Sequence, residues 1–62
     1  MKNEVVSEYG TMKKRRATIV QTNNGFRVDL YKRMEFIRSV ECYDHSESYA
    51  ERVAENWVLG VL

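Results

Sequence analysis

The chain has 62 residues, of which 44% are hydrophobic and 31% charged, and its formal net charge at pH 7 is +1. This length allows one small domain, and the apolar fraction is too high for a disordered chain. No apolar run is long enough to span a bilayer and the first residues lack a secretory signal, so we expect a cytoplasmic protein without a membrane partner.

The charges are distributed unevenly along the chain. Residues 1–38 contain nine Lys or Arg against four acids, whereas residues 39–62 contain Arg52 against five acids. The small net charge therefore hides a basic part and an acidic part, whose local fields can attract different partners. Because Cys42 is the single cysteine, no intrachain disulfide is available, and association with a partner or a second copy is the remaining route to extra stability.

Residues 1–14 are predicted to form a flexible basic tail. They show no sustained hydrophobic period, contain Gly10, and lead into four consecutive cations at 13–16. As an alternative, Val5, Val6 and Tyr9 could add a short edge strand. The single folded domain is expected to cover residues 15–62.

Two strand-like runs, 17–22 and 26–31, flank Asn24-Gly25. These two residue types tolerate the positive φ angles of a type I′ turn, so the sequence predicts a β-hairpin with Ile19 opposite Leu30 and Thr18 opposite Tyr31. Paired residues share a face of the sheet. The predicted core face gathers Ile19, Gln21, Phe26, Val28 and Leu30. The predicted open face gathers Arg16, Thr18, Val20, Thr22, Arg27, Asp29, Tyr31 and Arg33.

A third strand is predicted at about 35–43, after a turn through residues 32–34. If Phe36, Val40 and Cys42 face the core, Arg38 does so too, whereas Ile37 facing inward would bring Ser39 and Glu41 with it. A β-bulge reconciles the two halves of this strand, and we favour Val40 and Cys42 in the core.

The last predicted element is an amphipathic helix. Asp44 and Glu47 form a capping-box-like pair at its start, and Ser48 with Glu51 offers a competing start. Gly60 fits the position just after the helix end. The apolar stripe comprises Tyr49, Ala50, Val53, Ala54, Trp57 and Val58. The predicted fold class is α+β, a three-stranded antiparallel sheet packed by one C-terminal helix in the order β-β-β-α.

This order resembles two families of small DNA-binding domains: the plant ethylene-response-factor domains and the arm-site-binding domains of tyrosine recombinases. The similarity runs over about residues 16–57, in the second strand Gly25-Phe26-Arg27-Val28-Asp29-Leu30 and in the passage 43–50 into the helix. The resemblance implies that the open face of the sheet reads the major groove. The chain is also similar in length to small accessory proteins of bacteriophages.

The sequence therefore predicts a small nucleic-acid-binding module. Cations contact phosphates, arginine and threonine reach base edges, and tyrosine stacks on bases. A solvated polar face of an ordinary antiparallel sheet explains the same pattern without any ligand. The predicted nucleic-acid-binding residues are Lys13, Lys14, Arg15, Arg16, Thr18, Thr22, Arg27, Tyr31 and Arg33.

The alternative prediction is a protein-interaction or regulatory module, acting as a homodimer or on another protein. The chain ends with more apolar surface than one helix face needs, so part of it is a candidate contact surface. The predicted partner-binding residues are Trp57, Leu59, Val61 and Leu62.

Four residues near the helix start have side chains that can bind metals: Cys42, Asp44, His45 and Glu47. A closed zinc site normally draws pairs of ligands from two separate segments, which this spacing does not provide. Cys42 and His45 lack a third group that would orient them for nucleophilic catalysis. We therefore expect no metal, no cofactor and no enzymatic activity.

Overall fold

The computed structural model describes residues 3–61, as four β-strands followed by one α-helix. The strands are β1 (Glu4–Gly10), β2 (Arg15–Thr22), β3 (Gly25–Lys32) and β4 (Glu35–Cys42), and the helix is α1 (Glu47–Val58). Each strand pairs antiparallel with the next, giving the sheet order β1-β2-β3-β4. The predicted α+β class with a C-terminal helix is confirmed, but the predicted number of three strands is wrong.

The additional strand, β1, comes from the segment predicted to be a tail. Its register shifts between Val5 and Ser7, so that Val5 lies opposite Val20 while Tyr9 lies opposite Ala17. These two partners are on different faces of β2, and the bulge therefore breaks the two-residue alternation by which a strand is identified in a sequence. Tyr9 packs against the core on the helix side.

The β2–β3 hairpin has the predicted faces but not the predicted register. Ile19 lies opposite Val28 instead of Leu30, and the turn is Asn23-Asn24. Gly25 has a φ of 130° beside the following connection, where a Cβ atom would lie 2.7 Å from the Tyr43 carbonyl oxygen. The glycine is thus required by this close approach and by its positive φ directly after the turn. Because the pairing shifts by two residues, each side chain keeps its predicted face.

The β3–β4 connection is a two-residue turn at Arg33-Met34, both with positive φ angles of 53° and 69°. Beyond it, Tyr31 pairs with Phe36 and Leu30 with Arg38, which leaves Ile37 in a bulge. The bulge places Cys42 in the core and Val40 half-buried against it, as predicted.

Helix α1 begins after Ser46, whose hydroxyl oxygen accepts a hydrogen bond from the Tyr49 N–H at 3.4 Å. The predicted starts at Asp44 and Ser48 are therefore wrong. The helix end is as predicted, because Gly60 has a φ of 83° and its N–H donates to the Trp57 carbonyl at 3.1 Å.

The helix packs on β1, β2 and β3 and leaves the other side of the sheet uncovered. Two alanines at the contact let the helix approach the sheet closely. The buried core consists of Ala17, Ile19, Val28, Leu30, Cys42, Ala50, Ala54 and Trp57. In the part of the chain that the structure describes, no helix is long and apolar enough to cross a membrane.

Candidate nucleic-acid interface

The open face is the side of the sheet opposite α1, and its two arginines are both paired with acids. Arg16 Nη2 lies 2.6 Å from Glu8 Oε1 on the neighbouring strand. Arg27 donates two hydrogen bonds to the carboxylate of Asp29, at 2.9 and 3.1 Å. Both guanidinium groups therefore have their charge balanced by a neighbouring carboxylate.

A further acid and a hydroxyl complete the polar groups around Arg27. Ser39 Oγ donates to Asp29 Oδ1 at 2.7 Å, and Glu41 lies opposite Arg27 on β4. The open face thus has three acids, Glu8, Asp29 and Glu41, against two arginines. This surface is close to charge-balanced, whereas the sequence predicted it to be cationic.

The two predicted threonines are engaged by the fold. Thr18 is only 8% exposed, at the floor of a shallow depression of about 310 Å³. The Thr22 hydroxyl accepts from the Asn24 N–H at 3.0 Å and donates to the Gly25 carbonyl at 3.1 Å. The depression is lined by Val5, Glu8, Met12, Arg16, Thr18 and Tyr31.

Arg15 and Trp57 hold the helix end to the sheet. The Arg15 guanidinium lies 4.4 Å from the centroid of the Trp57 ring, and its Nη1 donates to the Trp57 carbonyl at 3.2 Å. The indole Nε1 donates to the Tyr31 carbonyl at 2.9 Å. Arg15 therefore lies on the helix side, away from Arg16, and Trp57 is a core residue that is only 7% exposed.

The remaining predicted cations meet at one end of the sheet. The Arg33 N–H donates to the Lys14 carbonyl at 2.8 Å, which joins the β1–β2 turn to the β3–β4 turn. With Lys32 they form a group of four, Lys13, Lys14, Lys32 and Arg33, which we call the cationic end. All four side chains are exposed, and neither of the two ion pairs among the described residues involves them.

The sequence-based prediction did not include Lys32, although it directly precedes Arg33 in a predicted turn. Glu35 is the cross-strand partner of Lys32 and therefore the acid beside this group in the strand pairing. The joining of two turns that are distant in sequence is what concentrates the charge, and no local pattern reports it.

An aromatic pair lies on the open face beside the cationic end. Tyr31 and Phe36 are cross-strand partners, one pair in from Lys32 and Glu35. Their ring centroids are 5.6 Å apart and their planes meet at 70°, an edge-to-face arrangement. Tyr31 is half-buried, whereas Phe36 is 54% exposed. The sequence left the face of Phe36 open, because the bulge at Ile37 decides it.

The predicted apolar contact surface is divided by the fold. Leu59 and Val61, beyond the helix, are 75% and 72% exposed. Trp57 is part of the core, and Leu62 lies outside the described residues. Two of the four predicted partner-binding residues are therefore exposed.

Cys42 and His45, near the helix start, are each held by contacts within the fold. Cys42 is fully buried, and burial raises the pKa of its thiol. The His45 ring stacks on Tyr49 with centroids 3.8 Å apart. Within residues 3–61, no three His, Cys, Asp or Glu side chains come together in a way that could hold a metal ion.

The fold is thus a small α+β domain in which one end of a four-stranded sheet carries four exposed cations that form no ion pair among the described residues. Comparison with family models, with curated proteins and with solved structures gave no match. The resemblance to sheet-plus-helix DNA-binding domains stays a prediction.

Proposed function

We propose that this protein is a small non-enzymatic nucleic-acid-binding module whose phosphate contacts are made by the cationic end. The observation that carries this proposal is the meeting of two turns through the Arg33–Lys14 hydrogen bond, which gathers four exposed cations. Clustered and exposed lysine and arginine side chains bind phosphates and release counterions from the nucleic acid. The proposed surface keeps Lys13, Lys14 and Arg33 from the sequence-based prediction and adds Lys32.

The mode of binding follows from the ion pairs on the open face. Arg16 and Arg27, the open-face arginines predicted to reach base edges, are ion-paired with Glu8 and Asp29, so base contacts by these two side chains would compete with the ion pairs. Phosphate contacts carry no sequence information by themselves. We therefore expect binding with little sequence preference and with strong dependence on salt.

The test compares two double variants that remove the same amount of charge. Lys13→Gln with Lys14→Gln changes the cationic end, whereas Arg38→Gln with Arg52→Gln removes two exposed cations elsewhere, neither of them ion-paired. Binding to labelled nucleic acid is measured by fluorescence anisotropy between about 50 and 200 mM salt. We expect the first variant to bind more weakly and to lower the slope of log K against log salt by about 2, while the second keeps the wild-type slope.

Two results would refute this function: wild-type affinity that does not change with salt, or equal losses in the two double variants. Circular dichroism measures whether both variants are folded. We expect both to be folded, because all four changed side chains are exposed.

A second candidate function is protein interaction, which is favoured by the exposure of Leu59 and Val61 beyond the helix. Size-exclusion chromatography with light scattering measures whether the chain self-associates. A dimer that is lost when both residues are replaced by serine would support this function, and a strict monomer at high concentration would exclude the homodimer.

A further inference from the structure

We infer that the cationic end binds single-stranded nucleic acid, with Phe36 as the platform on which an unpaired base stacks. This inference rests on the proposed function and names the class of ligand for that surface. It is carried by the position, exposure and orientation of one aromatic ring beside the four cations.

Phe36 is a large apolar side chain that the fold leaves in solvent. More than half of its surface, 54%, is exposed, although it lies in a strand and pairs with Tyr31. The Tyr31 ring meets it at 70° with centroids 5.6 Å apart, which supports one side of the ring and limits its rotation. An exposed ring that is held in this way gives a base a face on which to stack with little loss of side-chain entropy.

The cations are placed to follow the backbone of a strand bound at this ring. Phe36 lies one residue beyond Glu35, the first residue of β4 after the Arg33-Met34 turn. Lys32 follows Tyr31 on β3 but shares the helix face with its cross-strand partner Arg15. The cations offered to a strand on the open face are therefore those of the two turns, where Lys14 is joined to Arg33 through the backbone. A chain whose base rests on Phe36 therefore has its phosphates beside the cationic end. Cations that line a path next to an exposed ring are the usual arrangement for binding single strands.

A duplex makes poorer use of the same surface. Its bases are stacked on one another, so their faces are closed to Phe36 except at the ends of the helix. Contacts of Arg16 and Arg27 with its groove edges would compete with their ion pairs to Glu8 and Asp29. A duplex would thus contact the lysines through phosphates alone, whereas a single strand adds the stacking energy of a base.

The experiment measures the affinity of wild type and of Phe36→Leu for two labelled ligands with equal numbers of phosphates: an oligothymidylate and a hairpin duplex whose loop is a linker without bases. Phe36→Leu keeps an apolar side chain but removes the aromatic face, and Phe36→Trp restores a ring. We expect Phe36→Leu to weaken binding of the oligothymidylate about fivefold or more and to leave the hairpin unchanged. Phe36→Trp should bind the oligothymidylate at least as tightly as wild type. An oligouridylate arm shows whether RNA and DNA single strands are bound alike.

The outcomes separate this inference from the proposed function. If Lys13→Gln with Lys14→Gln weakens binding to both ligands but Phe36→Leu changes neither, the single-strand inference fails and the proposed function stands. If wild type binds neither ligand with a salt dependence, both fail. Loss of affinity for the hairpin equal to that for the oligothymidylate in Phe36→Leu would also overturn the stacking role. A non-aromatic control, Ile37→Leu, alters the neighbouring exposed side chain and should change neither affinity.

Discussion

Arg15 and Arg16 are adjacent cations with opposite positions in the fold. Arg15 stacks on Trp57 and donates to its carbonyl oxygen, at a helix end whose last turn contains no basic residue. Arg16 points to the other face, where Glu8 is its partner and both side chains are partly exposed. Arg15 thus supplies the positive charge that favours a helix C-terminus, while Arg16 belongs to a surface ion pair.

We expect Arg15→Met to lower the free energy of unfolding by about 1–2 kcal/mol, since it removes a cation–π contact and a charge-assisted hydrogen bond. Arg16→Met removes the same charge but should cost about 0–1 kcal/mol, the range for surface ion pairs. Urea unfolding followed by far-ultraviolet circular dichroism measures both. Equal costs, or a larger cost at Arg16, would contradict the role assigned to Arg15.

Single residues also show why the sequence predicted the turns only in part. Asn24-Gly25 is a favourable pair for a type I′ turn, yet the glycine serves the close approach to Tyr43, and the turn moves back by one residue. The two non-glycine residues with positive φ are Arg33 and Met34, types that rarely adopt this conformation. Contacts with distant parts of the chain determine both turns, and a local sequence pattern carries no information about those contacts.

At the scale of elements, β1 determines whether β2 is a central strand or an edge. Its pairing satisfies the outer backbone groups of β2, and Tyr9 adds to the core beside Ala17. Gly10 ends the strand with a φ of 80°, where a Cβ atom would lie 2.2 Å from the Arg15 carbonyl oxygen. The strand is therefore fitted closely against the start of β2.

Removing residues 1–10 should abolish cooperative unfolding, because it exposes the β2 edge and part of a core that is already small. Thermal unfolding by circular dichroism measures the effect. If the truncated chain keeps the thermal midpoint of the full chain, β1 is dispensable. A matched pair of point variants tests the same strand in a folded protein. Tyr9→Ala should cost about 2 kcal/mol and the exposed Val5→Ala less than about 1 kcal/mol.

The elements whose faces were predicted without an alternative are those whose hydrophobic period is continuous along the chain. The periods of β2, β3 and α1 are unbroken, so their faces are right even where the β2–β3 register is wrong. Strand β1 changes phase at its bulge after Val5, and its short apolar pattern is split between two faces. The helix start was wrong by two residues because Asp44, Ser46 and Ser48 are all acceptable N-cap types.

The charges of the whole molecule are separated, as the sequence indicated, but the cations are concentrated at a different place from the one predicted. The excess of cations in residues 1–38 lies at one end of the sheet rather than over its open face. The sequence predicted three of the four residues of the candidate site, Lys13, Lys14 and Arg33. Its location required the contact between two turns, and the exposure of Phe36 required the β4 bulge.

The stability of the whole molecule should depend on pH through two groups packed between sheet and helix. Burial raises the pKa of the Cys42 thiol above its ordinary value of 9.0. Burial, and then the carboxylates of Glu51, Glu55 and Glu47, raise the pKa of the Tyr9 phenol above 10.0. In both cases the folded state holds its proton more tightly than the unfolded state. Their contribution is therefore fully present below the unfolded pKa and is lost as the pH rises through the folded one.

We therefore expect the free energy of unfolding to be constant between about pH 7 and 8 and to fall above about pH 9, first through the thiol and then through the phenol. Urea unfolding across this range measures the slope. The matched variant is Cys42→Ala with Tyr9→Phe, which removes both titrating groups and should lose less stability per pH unit than wild type above about pH 9. Lysine titration is common to the two proteins and cancels in the comparison. Parallel pH profiles would show that neither group is held in its protonated form by the fold.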